Sequence, residues 1–566
     1  MLELPTNIKL QKIMKHIFDI KTLLLSLVLG TGALLTSCND DDDDVTKADA
    51  LFRPIVGETT VGGQWIELEW DRYEGAKTFV LTLAGKAAGQ ADSTKMEVTT
   101  DTTFYRFEGL DYDTDYLIKI KSVGNGLESR YYVLPTITTT DYPTKLKGVQ
   151  AIDNKALVAW EDMNYTSLHL VQVVTPEGST VNEEVEIANY TISSEEQAAK
   201  QVIFSNLEPS CNYIVRAYMN GEYQGKKVFS TAAPEEFEGA VKNLRGIPEE
   251  EAYGMLTASF YEDLVAEFPD QDVTVVLEGG QKYEMMSLKL PATTGTIKLV
   301  TGLSLAGNAV MEVKGNYDLA GNVGGFVGEK ISFIDHPNTP RTASNFGGTY
   351  LFNLSVSDTK IGTMAFYNCD IKYKRGVCRI KTGADIDNFI LDNCVVDSIG
   401  GYGITNADNG DADILNIVVK NTTISHCEKM FVSTKPTAKF VNSFVAENCT
   451  FVYNMKGGNN YMFDFNKMKF GSDPMVKNCI FGPGGNNGKA AAISGYRGDA
   501  SLAVDNCYGT ADLSWYMAEG ATAPTAPIEM NSTGADVKGT FEDAAKSNFK
   551  LLVNDLKEVA GDPRWW

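Results

Sequence analysis

Six asparagines, Asn368, Asn393, Asn421, Asn448, Asn478 and Asn506, recur at intervals of 25, 28, 27, 30 and 28 residues, each followed by a cysteine or, once, a threonine. The flanks repeat as well, as in Phe366-Tyr367-Asn368-Cys369, Leu391-Asp392-Asn393-Cys394 and Val419-Lys420-Asn421-Thr422. A near-constant period of this length marks stacked units, none of which buries its apolar face without its neighbours. An Asn at the same bend of every coil can bond up and down the stack through its amide. The small residue after it then points inward as an apolar filler. Coils stacked about 4.8 Å apart would bring successive cysteines near bridging distance. Thr422 takes the same place without breaking the pattern, which favours a column of buried thiols over disulfides. Asn353, in Leu351-Phe352-Asn353-Leu354, falls only 15 residues before Asn368, so the first coil is expected to be irregular or out of phase.

Ahead of the repeat the texture differs. Residues 49–142 read as short alternating strands such as Trp65-Ile66-Glu67-Leu68-Glu69-Trp70, separated by Gly, Asp and Thr turns. Leu110-Asp111-Tyr112-Asp113-Thr114-Asp115-Tyr116 resembles the Leu-to-Tyr corner of fibronectin type III domains, with Trp70 as the core Trp of an early strand. The arrangement returns in residues 143–232 as Val158-Ala159-Trp160 and Leu207-Glu208-Pro209-Ser210-Cys211-Asn212-Tyr213. The resemblance implies two sandwich spacers. After Pro234-Glu235-Glu236-Phe237-Glu238, a linker by composition, Leu256, Phe260, Leu264, Val265 and Phe268 fall on one helical stripe that Pro269 and Asp270 end. The helix, the apolar strand Val273-Thr274-Val275-Val276-Leu277 and the Gly279-Gly280 turn resemble the start of pectate-lyase-like parallel β-helices, whose helix plugs the open end. With the closing Gly561-Asp562-Pro563-Arg564-Trp565-Trp566, residues 240–566 resemble an uncharacterised family of Bacteroidetes lipoproteins found beside polysaccharide-utilisation machinery. The expected fold is all-β: two fibronectin type III-like sandwiches, then a right-handed parallel β-helix over 233–566 with an N-terminal capping helix.

The first 37 residues place Lys9, Lys12, Lys15 and Lys21 ahead of the apolar run Leu23-Leu24-Leu25-Ser26-Leu27-Val28-Leu29, the order of an export signal. Met14-Lys15 would make a more usual start for it. The run is too short to span a bilayer. Leu35-Thr36-Ser37-Cys38 resembles a bacterial lipobox, which implies a lipid on Cys38; an ordinary cleavage site would leave the Leu-x-Ser-Cys order unexplained. Residues 38–48 form an acidic tether, in which the run Asp40 to Asp44 repels itself and stays extended. Its position against the Cys resembles the acidic export signal of Bacteroidetes surface lipoproteins and implies the outer face of the outer membrane. A net charge of −24 argues against nucleic acid, whose binders need a basic face.

Against that charge the densest basic stretch stands out: Lys372, Lys374, Arg375, Arg379 and Lys381. On a strand, alternate residues share a face, so Lys372 and Lys374 are expected to project together, with Arg375 and Arg379 following across a turn at Gly376. Tyr373, Tyr402 and Tyr461 are candidates for stacking on sugar rings. Polyuronate-cleaving β-helices, by resemblance, use an Arg or Lys base and Ca²⁺ held by carboxylates, which would make Arg375 or Arg379 the base. Asp408, Asp411 and Asp413 form an Asp/Asn-rich group without the distal Glu of a complete calcium loop, and a solvated turn explains them as well. The sequence fixes no cofactor; Ca²⁺ enters only with the lyase reading. With four His no zinc constellation arises, and no Gly-x-Ser-x-Gly, phosphate loop or dinucleotide fingerprint is present. The leading expectation is a surface-exposed lipoprotein that binds an acidic glycan such as pectin and works with glycan-uptake proteins. A Ca²⁺-dependent polysaccharide lyase and a structural or adhesin lipoprotein are the alternatives, and under the last the basic stretch is a solvated edge.

Overall fold

The computed structural model describes residues 50–85, 93–341, 344–407, 412–433, 440–455, 460–486 and 489–566; Cys38, Asp408 and Asp411 lie outside them. Two compact units divide between Tyr142 and Pro143. No helix among the described residues is long and apolar enough to cross a membrane.

The first unit is an antiparallel sandwich. The strands Val56–Val61, Trp65–Trp70 and Phe104–Glu108 make one sheet, and Ser93–Thr100, Thr78–Gly85 and Asp115–Gly124 lead the other. Period-two alternation sends Ile66, Leu68, Trp70, Phe79, Leu81, Tyr116, Ile118 and Ile120 into a shared core. The expected corner is present: Asp111 N donates to Tyr116 Oη at 2.9 Å. The second unit begins with a similar fibronectin type III-like sandwich built around Trp160, Leu168 and Tyr213, and its corner repeats as Glu208 N to Tyr213 Oη at 2.9 Å. The segment after it is anchored, because Glu235 accepts from Leu303 N at 2.7 Å and lies 3.3 Å from Arg245.

From Ala240 onward the chain winds into a parallel β-solenoid. Its first face is a ten-stranded parallel sheet that runs from Ala240–Asn243 through Thr359–Tyr367, Ala384–Asp392 and Asp413–Lys420 to Ala503–Asp505. The second face starts at Lys282–Met285, and the third includes Tyr350–Leu354, Phe431–Ser433 and Tyr461–Phe465. Two long strands, Asp370–Ile380 and Val395–Ala407, cross from the second face to the third. The helix Ala258–Glu267 closes the N-terminal end, capped by Thr257 Oγ1, which accepts from Phe260 N. Leu256 and Leu264 are buried as expected, but the deepest side chain is Tyr261, which the apolar stripe left out; its hydroxyl reaches Tyr317 Oη at 3.1 Å.

The asparagines sit at the bend between the first and second faces, all with left-handed φ of 48–55°, a conformation Asn tolerates better than other residues with a Cβ. Their amides form the expected ladder. Asn393 Nδ2 donates to Asn368 Oδ1, Asn448 to Asn421 at 3.0 Å, Asn478 to Asn448 at 3.1 Å and Asn506 to Asn478 at 2.8 Å. The column begins one coil earlier with Lys330, at φ 53° and with its N–H on Tyr367 O. Asn353 is not in the column at all: it lies on the third face beside Arg379, which is why its spacing broke the period. The following thiols are free and buried. Each also donates to the carbonyl two residues back, as Cys394 does to Asp392 O at 3.3 Å and Cys479 to Lys477 O at 3.1 Å. Thr422 Oγ1 makes the same bond to Lys420 O at 2.5 Å, so the position selects a small donor as well as a filler.

The C-terminal segment folds back over the second face. Val537, Phe541, Phe549, Leu551 and Leu556 pack on Val452, Tyr453 and Ile480 in a core of their own. Gly561 has φ 86°, and a Cβ there would stand 2.8 Å from Ile480 Cδ1. Asp562, almost fully buried, accepts from Thr423 Oγ1 at 2.7 Å, while its N–H reaches Thr450 Oγ1 at 3.0 Å. Arg564 donates to Asn393 O at 2.6 Å and to Asn393 Oδ1 at 2.7 Å. The ladder is interrupted at that rung: Asn421 Nδ2 turns to Asp392 Oδ1 instead. Ser547 ties the strap to buried Asp397 at 2.6 Å.

Replacing Asp562 by Ala should remove about 2–3 kcal/mol of stability, the scale of hydrogen bonds to a charged group, in urea unfolding. Asp555→Ala, an exposed change on the same strap, should leave the midpoint unmoved, and equal effects would refute the lock. Thiol labelling of residues 45–566, which lack Cys38, should mark Cys211 alone in the native state and all eight cysteines after unfolding, since the other seven are buried.

Candidate functional site

The strand Asp370–Ile380 carries most of the basic stretch, but the bend within it separates the cations. Tyr373 has a left-handed φ of 58°, and Ser398, His426 and Tyr453, which follow the register partners of Lys372 in later coils, are bent the same way. Alternation therefore fails at Tyr373, and Lys372 and Lys374 do not project together. Lys372 stays on the second face, 3.9 Å from Asp370. Lys374 turns inward and is fully buried, its Nζ donating to Ile334 O at 2.7 Å; burial lowers its pKa to about 7. Tyr373 lies at the bend, beneath Arg341 at 4.1 Å and 5.9 Å from Phe346. Lys381 is exposed where the third-face strand ends, its N–H on Leu354 O.

Arg375 and Arg379 do share the third face, though Gly376 makes no turn between them. Gly376 lies within the strand, paired with Tyr350 and Gly403. A Cβ there would stand 3.0 Å from both Tyr350 Cδ1 and Tyr402 Cβ, so glycine is what lets the two rings close over the strand. The rings meet edge to face at 5.5 Å. Arg375 lies 4.5 Å and Arg379 4.4 Å from the centre of the Tyr402 ring, and they lie 5.6 and 6.0 Å from that of Tyr350, within cation–π range. Burial raises the Tyr350 pKa against the pull of the two arginines.

Register extends this cluster along the solenoid axis. Asn353, Arg379, Asn406, Val432, Asp464 and Arg497 occupy equivalent positions in successive coils. Further along, Arg497 forks onto Asp464 at 2.7 and 2.6 Å and lies over Tyr461 at 4.3 Å. The arginines of the third face thus differ. Arg497 is neutralised by a carboxylate, whereas no carboxylate among the described residues pairs with Arg375. Arg375 Nε, Asn353 Oδ1 and Asn406 Oδ1 are shielded from solvent and lack a hydrogen-bond partner among the described residues. Buried polar atoms are almost always bonded, and these are exceptions among the described residues. Tyr350, Asn353, Asn406 and Arg497 escaped the sequence reading because they are brought to the basic stretch only by coil register.

The carboxylates gather elsewhere. Asp413 pairs in register with Asp385 on the first face, and its Oδ1 accepts from Phe440 N at 3.1 Å. Asp408 and Asp411 lie outside the described residues, and among those described no three metal-ligating side chains converge.

A family model described as a domain of unknown function (DUF5123) matches residues 444–565, the last coils and the strap. Comparison with curated proteins gives no match. Among solved structures, a two-domain fibronectin type III segment of chicken tenascin is similar at 19% identity, over 31% of this chain and 98% of that one, with a TM-score of 0.17.

Lys374 provides a test of the bend. Its pKa falls from the ordinary 10.5 to about 7, so between those values the unfolded chain binds the extra proton and stability rises with pH. Below about 7 the penalty is complete. Lys374→Met should raise stability near pH 7 by about 2 kcal/mol and flatten that rise in thermal melts. An unchanged pH slope would mean that the ammonium is solvated.

Proposed function

We propose that this protein is a surface-exposed Bacteroidetes lipoprotein, anchored through Cys38, whose pectate-lyase-like β-helix binds an acidic polysaccharide such as pectin along its third face. In this reading the two sandwiches are spacers that carry the solenoid away from the membrane, and glycan-uptake proteins are its partners. The observation that carries the reading is Arg375, stacked with Arg379 against Tyr350 and Tyr402 and without a carboxylate partner among the described residues, in a chain of net charge −24. A guanidinium held this way offers a planar fork to a carboxylate. Coils about 4.8 Å apart let the row from Asn353 to Arg497 follow an extended chain across several sugars. A lyase would also need a proton acceptor at the sugar, and Lys374, whose pKa burial lowers to about 7, faces the interior.

The test uses a soluble form, residues 45–566, with pectic and other acidic polysaccharides, with and without Ca²⁺. Native-gel retardation and the ultraviolet absorbance of new unsaturated ends are followed together. Retardation without new absorbance is expected. Arg375→Ala with Arg379→Ala should weaken it at least tenfold, about 1.4 kcal/mol, and added salt should weaken the unaltered protein. Rising absorbance would replace the binder by a lyase, and neither signal would favour the adhesin. Retardation unchanged in the double variant would remove this face as the site.

A further inference from the structure

Where the C-terminal strap ends on the second face, it leaves a cleft of about 420 Å³ that the third-face reading does not use. The volume is within the range of small-molecule sites. One wall comes from three coils, through Asn308, Asp370, Lys372 and Asn393; the other comes from Arg564 and Trp565. The cleft therefore exists only because the last residues return to a coil more than 170 positions earlier in the chain, Arg564 to Asn393.

Its groups are held in place before any ligand arrives. Arg564 is fixed by Asn393 O and Oδ1, with Asp562 at 3.8 Å behind it. Trp565 is fixed by its Nε1 bond to Thr423 Oγ1 at 2.8 Å and by edge contact with Phe549 at 5.8 Å. Asp370 accepts from Ser332 Oγ at 3.1 Å. Lys372 is held most loosely: its Nζ is 3.9 Å from Asp370 Oδ1, beyond hydrogen-bond range, and its side chain is 35% exposed. An ammonium with three donors thus stands in the opening, beside a second cation, an aromatic wall and side-chain amides.

We infer that this cleft is a second binding site that takes a small saccharide bearing one carboxylate, a uronic acid monosaccharide or disaccharide. The carboxylate goes to Lys372, the ring lies toward Trp565, and its hydroxyls meet Asp370 and the amides. The third face is open along the axis and suits a chain, whereas this cleft suits a short unit. The inference does not depend on the third face binding anything.

Calorimetric titration of the soluble form with galacturonate, and with galactose as the uncharged match, tests it, with tryptophan fluorescence as a second readout. Galacturonate should bind at least tenfold more tightly than galactose and should change the fluorescence. Lys372→Ala, a change at a partly exposed coil position, should lower galacturonate affinity at least tenfold, while Arg375→Ala should leave it unchanged. Equal binding by Lys372→Ala, no response to galacturonate, or loss in Arg375→Ala instead would each overturn the assignment. Polysaccharide retardation reports on the third face separately, so failure of either site is recognisable.

Discussion

From Lys330 to Asn506 the coils of the solenoid depend on a backbone that turns left-handed at the same point. A residue with a Cβ loses roughly 1–2 kcal/mol in that conformation, and the cost recurs at Asn368, Asn393, Asn421, Asn448, Asn478 and Asn506. Asparagine offsets it twice, by tolerating the geometry and by joining its amide to the next coil. The thiol or hydroxyl after it then satisfies the carbonyl two residues back and fills the inside of the corner. Parallel pairing on all three faces follows from this alignment, because a one-residue slip at the bend would turn apolar side chains outward on every strand beyond it.

That dependence explains what the sequence makes legible. The first bend selects one residue type, so its period stands out. The second bend is also left-handed but uses Tyr373, Ser398, His426 and Tyr453, four side chains with no common chemistry and hence no visible pattern. Alternation counted straight through Tyr373 therefore put Lys374 on the surface, although it lies inside. Arg375 and Arg379 fall on one face for a reason other than the one expected: Gly376 does not turn the chain but admits two tyrosine rings. The sandwiches were legible because a tyrosine corner is local, its partner only five residues away. Tyr350 and Asn406 meet Arg379 only through stacking, and short-range spacing carries no trace of that.

The closing Gly-Asp-Pro-Arg-Trp motif shows the same limit from the other side. It is conspicuous as sequence, yet its role lies in contacts to residues far upstream. Gly561 passes where a Cβ would strike Ile480. Asp562 joins Thr423 to Thr450 across two coils, and Arg564 takes the acceptor on Asn393 that the amide ladder would otherwise use. The strap therefore covers much of the second face and shapes the cleft at its margin.

The proposed binding requires that so acidic a chain hold an anion. At physiological salt the Debye length is about 8 Å, so exposed carboxylates farther away contribute little to the field at Arg375. What matters is the composition of the immediate neighbourhood, and there Arg497 and Arg375 diverge. Asp464 cancels Arg497, whereas Arg375 is held by aromatic rings, which hold a cation without neutralising it. A tyrosine in place of an aspartate as the partner of a guanidinium preserves its geometry while leaving its charge for a ligand. By that criterion, the local potential at Arg375 and at Arg497 is set by the partner each has, and the net charge of the whole chain has little bearing on it.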